Sequence, residues 1–370
     1  MTYVLVLGVF ASLLRATRAV RERHLLAFIV ACGLATFTAL RGDDVSNDFL
    51  VYQDWYRIGI DADGLLERPP VLESLFLAGM AVSSGVGFPF RVFVWAVAAL
   101  AIGLKFHSIQ RVAHSGAALW AGAFCYLFSD FLLHEFTQLR AGLAIGMFML
   151  SLVYLRERDT RAFLIATCLG ALIHSSALLG LIAWPLSHWR RGRADLVLVS
   201  ALLAAAASRL APISIVAQLL ESLGALDARL ALYVQLANSG LTEAAEPFSV
   251  RTGLVWLLIF ISYAVLIRQS RCRVPSPALE RTESNRTSLL TCLRLIVLGQ
   301  IALFMFADVR EVAVRTMEFW MACLPLYAAH LAQTRGMKLP SAIVWLWLAT
   351  TFANFVFRTP TLVGPYSIGL

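Results

Sequence analysis

Arg140 and His174 stand out because each begins or interrupts a long uncharged run. Arg140 lies in LLHEFTQLRAGLAIGMFML, with Glu135 just ahead of it, and His174 lies in CLGALIHSSALLGLIAWP, followed by Ser175 and Ser176. An ionisable group inside a membrane segment costs about 2.5–3.5 kcal/mol at the helix centre, so each needs a partner or a task. A guanidinium in such a place can clamp a phosphate through paired N–H donors, or pair with a carboxylate or a helix end for structure alone. An isolated imidazole can take a proton from a hydroxyl, donate to a phosphate or sugar oxygen, or sit hydrogen-bonded in a core. Glu135 is a rival base.

Further charges cluster late in the chain, in DVREVAVRTMEFW. If this stretch is helical, Glu311 and Arg315 are i,i+4 neighbours, and Arg315 and Glu318 are i,i+3. They form either an internal ladder of ion pairs or a second cationic contact for a pyrophosphate, oriented by the acids. Arg310 and Arg251, each at the start of an apolar segment, are additional candidate contacts. Gly142 and Gly146 have the G-x-x-x-G spacing that lets another helix approach closely.

The segment 41–70, RGDDVSNDFLVYQDWYRIGIDADGLLERPP, holds seven carboxylates against three arginines. Asp48 and Tyr52 are one helical turn apart. Glu67 precedes Pro69 and Pro70, which fix an extended path towards Glu73. Asp43 with Asp44, or Asp61 with Asp63, could hold a divalent cation, but paired acids are common in solvated loops, and no metal or other cofactor is assigned. No P-loop, G-x-G-x-x-G, H-E-x-x-H or G-x-S-x-G occurs.

The elements that must position these residues follow from composition. The chain has 370 residues, 59% hydrophobic and 15% charged, with a mean hydropathy of +0.74. A soluble domain is about 45–50% apolar and about 25% charged. A soluble enzyme, a disordered chain and a disulfide scaffold are thereby disfavoured. The expected fold is all-α: a polytopic transmembrane helical bundle of about 11–13 segments, some short or re-entrant. The six cysteines form no C-x-x-C and read as small apolar residues. The first apolar run has its charges behind it, so it reads as a retained helix.

Charge sets the expected topology. There are 31 basic and 23 acidic residues. Arginines crowd the connections at 15–23, 156–161, 187–193 and 268–287, which marks these as cytoplasmic, with Lys105 and Arg111 counted on the same side or snorkelling to it. The net charge of +8 is then explained by anionic lipid, without a nucleic-acid partner. The acidic loop 41–70 and a second loop, 212–250, with amphipathic helices, fall on the outer side. Consistent alternation makes 71–104 one bent or re-entrant unit broken at Gly85-Val86-Gly87-Phe88-Pro89, and 162–186 a hairpin turning near His174, with 131–137 outside. The competing count makes 71–84 and 88–104 separate spans and 162–186 a single one. Arg294 is expected to snorkel from the cytoplasmic end.

The pattern resembles the EpsG-like, Wzy-type polysaccharide polymerases of bacterial envelopes, over roughly residues 41–330. The resemblance is carried by Asp48 and Tyr52, by Glu67-Arg68-Pro69-Pro70 with Glu73, and by Arg140 at a helix start. Ile173-His174-Ser175-Ser176 closing an apolar run and Val314-Arg315-Thr316-Met317-Glu318-Phe319 complete it. It departs at Arg68, where a proline is expected directly after the glutamate, and at Gln138, which precedes the arginine rather than following it. The resemblance implies a GT-C-like glycosyltransferase in the bacterial inner membrane. Its substrates would be undecaprenyl-diphosphate-linked oligosaccharides, joined at the periplasmic face into O-antigen or exopolysaccharide, with a chain-length co-polymerase as a further partner. Other readings are a single-sugar GT-C enzyme using a polyprenyl-phosphate donor, a lipid-linked oligosaccharide transporter, and an O-antigen ligase.

Overall fold

The computed structural model describes residues 2–16, 20–43, 46–58, 74–189, 192–209, 245–271, 279–334 and 336–358. Glu67 and Glu73 lie outside the described residues, as do Asp44, Asp61, Asp63 and most of 212–250.

The described chain is a bundle of helices, as the composition requires. In order they are α1 (Thr2–Ala16), α2 (Val20–Ala39), α3 (Asn47–Ile58), α4 (Ser74–Gly85), α5 (Phe90–Val112) and α6 (Gly116–Ser129). There follow α7 (Phe131–His134), α8 (Leu139–Arg156), α9 (Thr160–Ile173), a 3-10 helix (Ser175–Ile182), α10 (Ala183–His188) and α11 (Arg193–Ser208). The last five are α12 (Val250–Arg271), α13 (Leu279–Met305), α14 (Arg310–Met321), α15 (Leu324–Gln333) and α16 (Lys338–Arg358).

Four stretches, in α5, α8, α12 and α13, are long and apolar enough to cross a membrane. Five more apolar helices, including α4, α6 and α9, are shorter. A helix of 14 residues, such as α6 or α9, spans only about 21 Å of an approximately 30 Å hydrocarbon core. Such elements depend on the bundle rather than on lipid, so the polytopic architecture holds, with short segments beside the full-length spans among the described residues.

α8 lies at the centre, between α5 and α9. Gly146 is the point of closest approach to α5. A Cβ there would meet the Ala101 carbonyl and Leu104 Cβ at 3.2 Å, and one at Gly142 would meet the His134 backbone at 3.1 Å. The G-x-x-x-G pair therefore admits both a helix and the short turn α7.

Two ends of the bundle can be told apart by their charges. At the first, Arg91 opens α5 and closes the end of α2, donating to the carbonyls of Ala39 and Arg41 at 2.7 Å and to Asp43 at 2.9 Å. At the second, Arg111 pairs with Glu157, and Arg156 donates to the Arg111 carbonyl at 3.1 Å. α8 runs from Arg140 at the first end to Arg156 at the second.

The chain breaks between α4 and α5 at the expected glycines, with Gly87 at φ +82° and Pro89 opening α5. At His174 the backbone turns extended (φ −154°, ψ 128°), and the 3-10 helix folds back along α9. His188 and Thr160, at the two ends of this hairpin, line one cavity, so the hairpin starts and finishes at the second end.

Three expectations are corrected. Lys105 is not a loop charge: α5 continues past it to Val112, and its side chain is wholly buried against Glu135. The stretch 131–137 does not lie free at the surface: it turns towards the first end with His134, Glu135, Phe136 and Thr137 buried inside the bundle. Arg294 does not snorkel. It is 2% exposed, bonds Asp195 at 2.7 Å and the Leu186 carbonyl at 2.5 Å, and ties α13 to the start of α11. The segment 268–287 is helical at both edges, within α12 and α13, and only 272–278 lies outside the described residues.

Candidate active site

The acidic segment contributes α3, which covers the first end. Its spacing puts Phe49, Tyr52 and Tyr56 on one buried face. Phe49 meets Phe90 at 5.2 Å between ring centroids, Tyr52 meets Phe76 at 5.7 Å, and the Tyr56 hydroxyl donates to the Phe88 carbonyl at 2.7 Å. These contacts fix α3 over the break between α4 and α5. Asp48 is one turn before Tyr52 and close to the same face.

Arg140, at the start of α8, rises beneath α3. Its Nε donates to the Tyr52 hydroxyl at 3.4 Å, and its guanidinium lies 5.6 Å from the Tyr52 ring and 5.0 Å from the Trp55 ring. Arg315, from α14, bonds Glu311 at 3.2 Å across one helical turn, as its i,i+4 spacing predicts. The Asp48 carboxylate lies in the combined field of Arg315, Arg140 and Arg41. Partial burial outweighs that field and holds the Asp48 carboxyl above its usual value, with Glu311 adding a smaller push in the same direction. Burial likewise raises the Tyr52 phenol, against the pull of Arg140.

Arg41 was not singled out by the sequence. It stood among loop charges, yet it is fully buried, its Nη1 bonds the Thr38 carbonyl at 2.8 Å, and its guanidinium lies 4.5 Å from the Phe49 ring. Trp55 was also missed, although its i+3 position from Tyr52 on one helix was a usable signal. Elements far apart in sequence thus bring three guanidinium groups and Glu311 within electrostatic reach of Asp48.

His174 reaches the same level by register. α8 and α9 are antiparallel, with a Cβ at Gly170 meeting Met147 Cβ at 3.3 Å and the Ala144 carbonyl at 3.7 Å. One turn further along both helices, His174 comes level with Arg140. The 3-10 helix after it is bound to α14 through Trp320 Nε1, which donates to the Leu179 carbonyl at 3.1 Å.

Arg251 and Arg310 are not in this cluster. They line a neighbouring cavity of about 480 Å³ with Asp130, His134 and Glu318. α14 lies between the two: Arg310 and Glu318 line the cavity, whereas Glu311 and Arg315 pair with each other and act on both Glu318 and Asp48. Glu135 joins neither group. Lys105 Nζ donates to it, both side chains are fully buried, and the Tyr126 ring lies 5.2 Å from the ammonium. Among the described residues, no three His, Cys, Asp or Glu side chains converge as metal ligands.

Fold and site define a polytopic helical membrane protein with a cation-rich polar cluster at one end of its bundle. The EpsG family's sequence model matches residues 24–368, and the chain belongs to that family, which is associated with membrane polysaccharide polymerases. No curated protein and no solved structure matches the chain.

Proposed function

We propose that the chain is a Wzy-type glycosyltransferase that joins undecaprenyl-diphosphate-linked repeat units into O-antigen or exopolysaccharide. It would act at the periplasmic face of the bacterial inner membrane on a GT-C-like scaffold. The observation that carries this reading is Arg140 set against Tyr52 and Trp55 beneath α3, with Arg140 and Arg315 both within electrostatic reach of Asp48. A diphosphate leaving group gains charge as its bond to the sugar breaks, and fixed guanidinium groups in a partly dry site stabilise that charge.

In the reaction, the anomeric carbon–oxygen bond of the growing chain to its lipid diphosphate breaks, and a new bond forms to a hydroxyl of the next repeat unit. Arg140 and Arg315 hold the departing undecaprenyl diphosphate. His174, level with Arg140, takes the proton of the acceptor hydroxyl. Arg251 and Arg310 in the adjoining cavity contact the second lipid-linked chain. Asp48 and Tyr52 orient the guanidinium groups and the sugar. Glu135 has no part as base here, because its carboxylate is engaged by Lys105. Glu67, at the end of the acidic segment, and Glu73, just beyond it, contact the substrate. A chain-length co-polymerase is the expected protein partner.

The test is a gel of surface polysaccharide from the native host, comparing parent, gene deletion and complemented strains. A deletion that leaves single repeat units, with a ladder restored by wild type only, supports polymerisation. Loss of every repeat unit from the surface, or full-length polymer retained on its lipid carrier, would assign the protein to an earlier or later step.

A further inference from the structure

The second end of the bundle contains a cavity of about 830 Å³ that the proposed reaction does not use. One wall is a face of α13. Ser284, Thr287, Ser288 and Thr291 recur there at i, i+3, i+4 and i+7, so one helical face presents a stripe of hydroxyls. Ser288 donates to the Ser284 carbonyl and Thr291 to the Thr287 carbonyl, both at 3.0 Å. Their protons are thus committed to the helix, and their oxygen lone pairs are left to accept from a ligand.

The facing wall is cationic. Arg156 is held by the Arg111 carbonyl and Asn285 Oδ1, both at 3.1 Å, and by His114 Nε2 at 2.9 Å, while its buried Nε makes no hydrogen bond. His330, 1% exposed, lines the cavity with a buried Nδ1 that also has no hydrogen-bond partner. Arg158, at the rim, has φ +62°. It occupies the left-handed position of a Schellman turn, with Asp159 N–H on the Tyr154 carbonyl and Arg158 N–H on the Leu155 carbonyl. Glycine is the usual residue there, and a long side chain costs strain. An arginine in that position brings its charge to the rim of the cavity. Among the described residues, no carboxylate lines the cavity.

We propose that this cavity binds a phosphodiester carrying free hydroxyl groups, the chemistry of a phosphatidylglycerol headgroup. Arg156 and Arg158 meet the phosphate, His330 adds a ring nitrogen at the floor, and the α13 stripe accepts from the glycerol hydroxyls. Leu152, Leu155 and Leu326 supply apolar surface for the start of the acyl chains. The site is at the opposite end of α8 from Arg140 and does not depend on the proposed polymerase reaction.

The experiment measures melting temperature of the purified, detergent-solubilised protein against increasing short-chain phosphatidylglycerol, with phosphatidylcholine of the same chain length and glycerol 3-phosphate as comparators. A ligand that binds only the folded protein raises the melting temperature in a concentration-dependent way. Two variants keep the test independent of misfolding. Arg158→Gly relieves the left-handed strain and should fold at least as well as wild type, and Thr291→Val removes one acceptor while conserving volume. Losing one charged hydrogen-bond donor should weaken phosphatidylglycerol about tenfold. Weaker binding in both variants supports the site. Competition by glycerol 3-phosphate also supports it and would make a soluble phosphate its source. Equal response to phosphatidylglycerol and phosphatidylcholine, or variants that bind phosphatidylglycerol as wild type does, would overturn it.

Discussion

Lys105 of α5 and Glu135, between α7 and α8, form an ion pair in which neither side chain has any solvent exposure. Removing one partner of such a pair strands a charge and costs about 3–5 kcal/mol, whereas replacing both with apolar groups is often neutral or better. Lys105→Met alone and Glu135→Leu alone should therefore each lower the melting temperature and the yield of inserted protein. The double variant should recover most of both, and it should still make polymer. A stable double variant without activity would return Glu135 to the chemistry.

Arg140 lies against the Trp55 and Tyr52 rings as well as the Tyr52 hydroxyl. A lysine would keep the charge but lose the planar fork and the stacking. Arg140→Lys should retain less than about a tenth of polymerising activity, since a lost charged hydrogen bond is worth roughly 1.5–3 kcal/mol. Trp55→Ala should fall between Lys and wild type, because an exposed cation–π contact contributes about 0.5–1 kcal/mol. In vivo chain-length distributions, normalised to protein level, separate the three. If Arg140→Lys made polymer as wild type does, charge alone would suffice and the fork geometry would be irrelevant.

Burial raises the Asp48 carboxyl above its ordinary value of 3.8 despite Arg315, Arg140 and Arg41. A carboxyl raised in the folded state binds its proton more tightly there than in the unfolded chain. Its contribution to stability is full below the ordinary value and is lost as pH rises through the raised one. Wild type should therefore lose thermal stability relative to Asp48→Asn across that interval, and the two should run parallel above it. Melting curves in detergent from pH 3 to 7 measure this directly. Parallel curves over the whole range would show that burial and the arginines cancel at Asp48, and wild type gaining stability relative to Asp48→Asn as pH rises would show that the arginines dominate.

The parts of this architecture that depend on local spacing were legible before any coordinates. Glu311 and Arg315 pair because a helix puts i and i+4 together, and the break at Gly85–Pro89 follows from residues that cannot continue a helix. The turn at His174 was inferred from charge alternation, and the chain does fold back there. What depends on distant partners was not legible. Lys105 looked like the end of an apolar run because its partner, Glu135, approaches from the turn between α7 and α8. The same holds for Arg294, whose partner Asp195 lies in α11. Arg140 and Arg315 share the field around Asp48, but Arg310 turns to the other face of α14 and joins Arg251, a division that depends on how α14 is rotated in the bundle.

The central claim is that Arg140 stabilises a departing lipid diphosphate. Its most direct test is purified protein in liposomes supplied with an undecaprenyl-diphosphate-linked repeat unit, with polymer length and released undecaprenyl diphosphate measured together. Wild type should produce both in step, and Arg140→Ala, inserted to the same level and equally heat-stable, should produce neither. Polymer of normal length from Arg140→Ala would contradict the account.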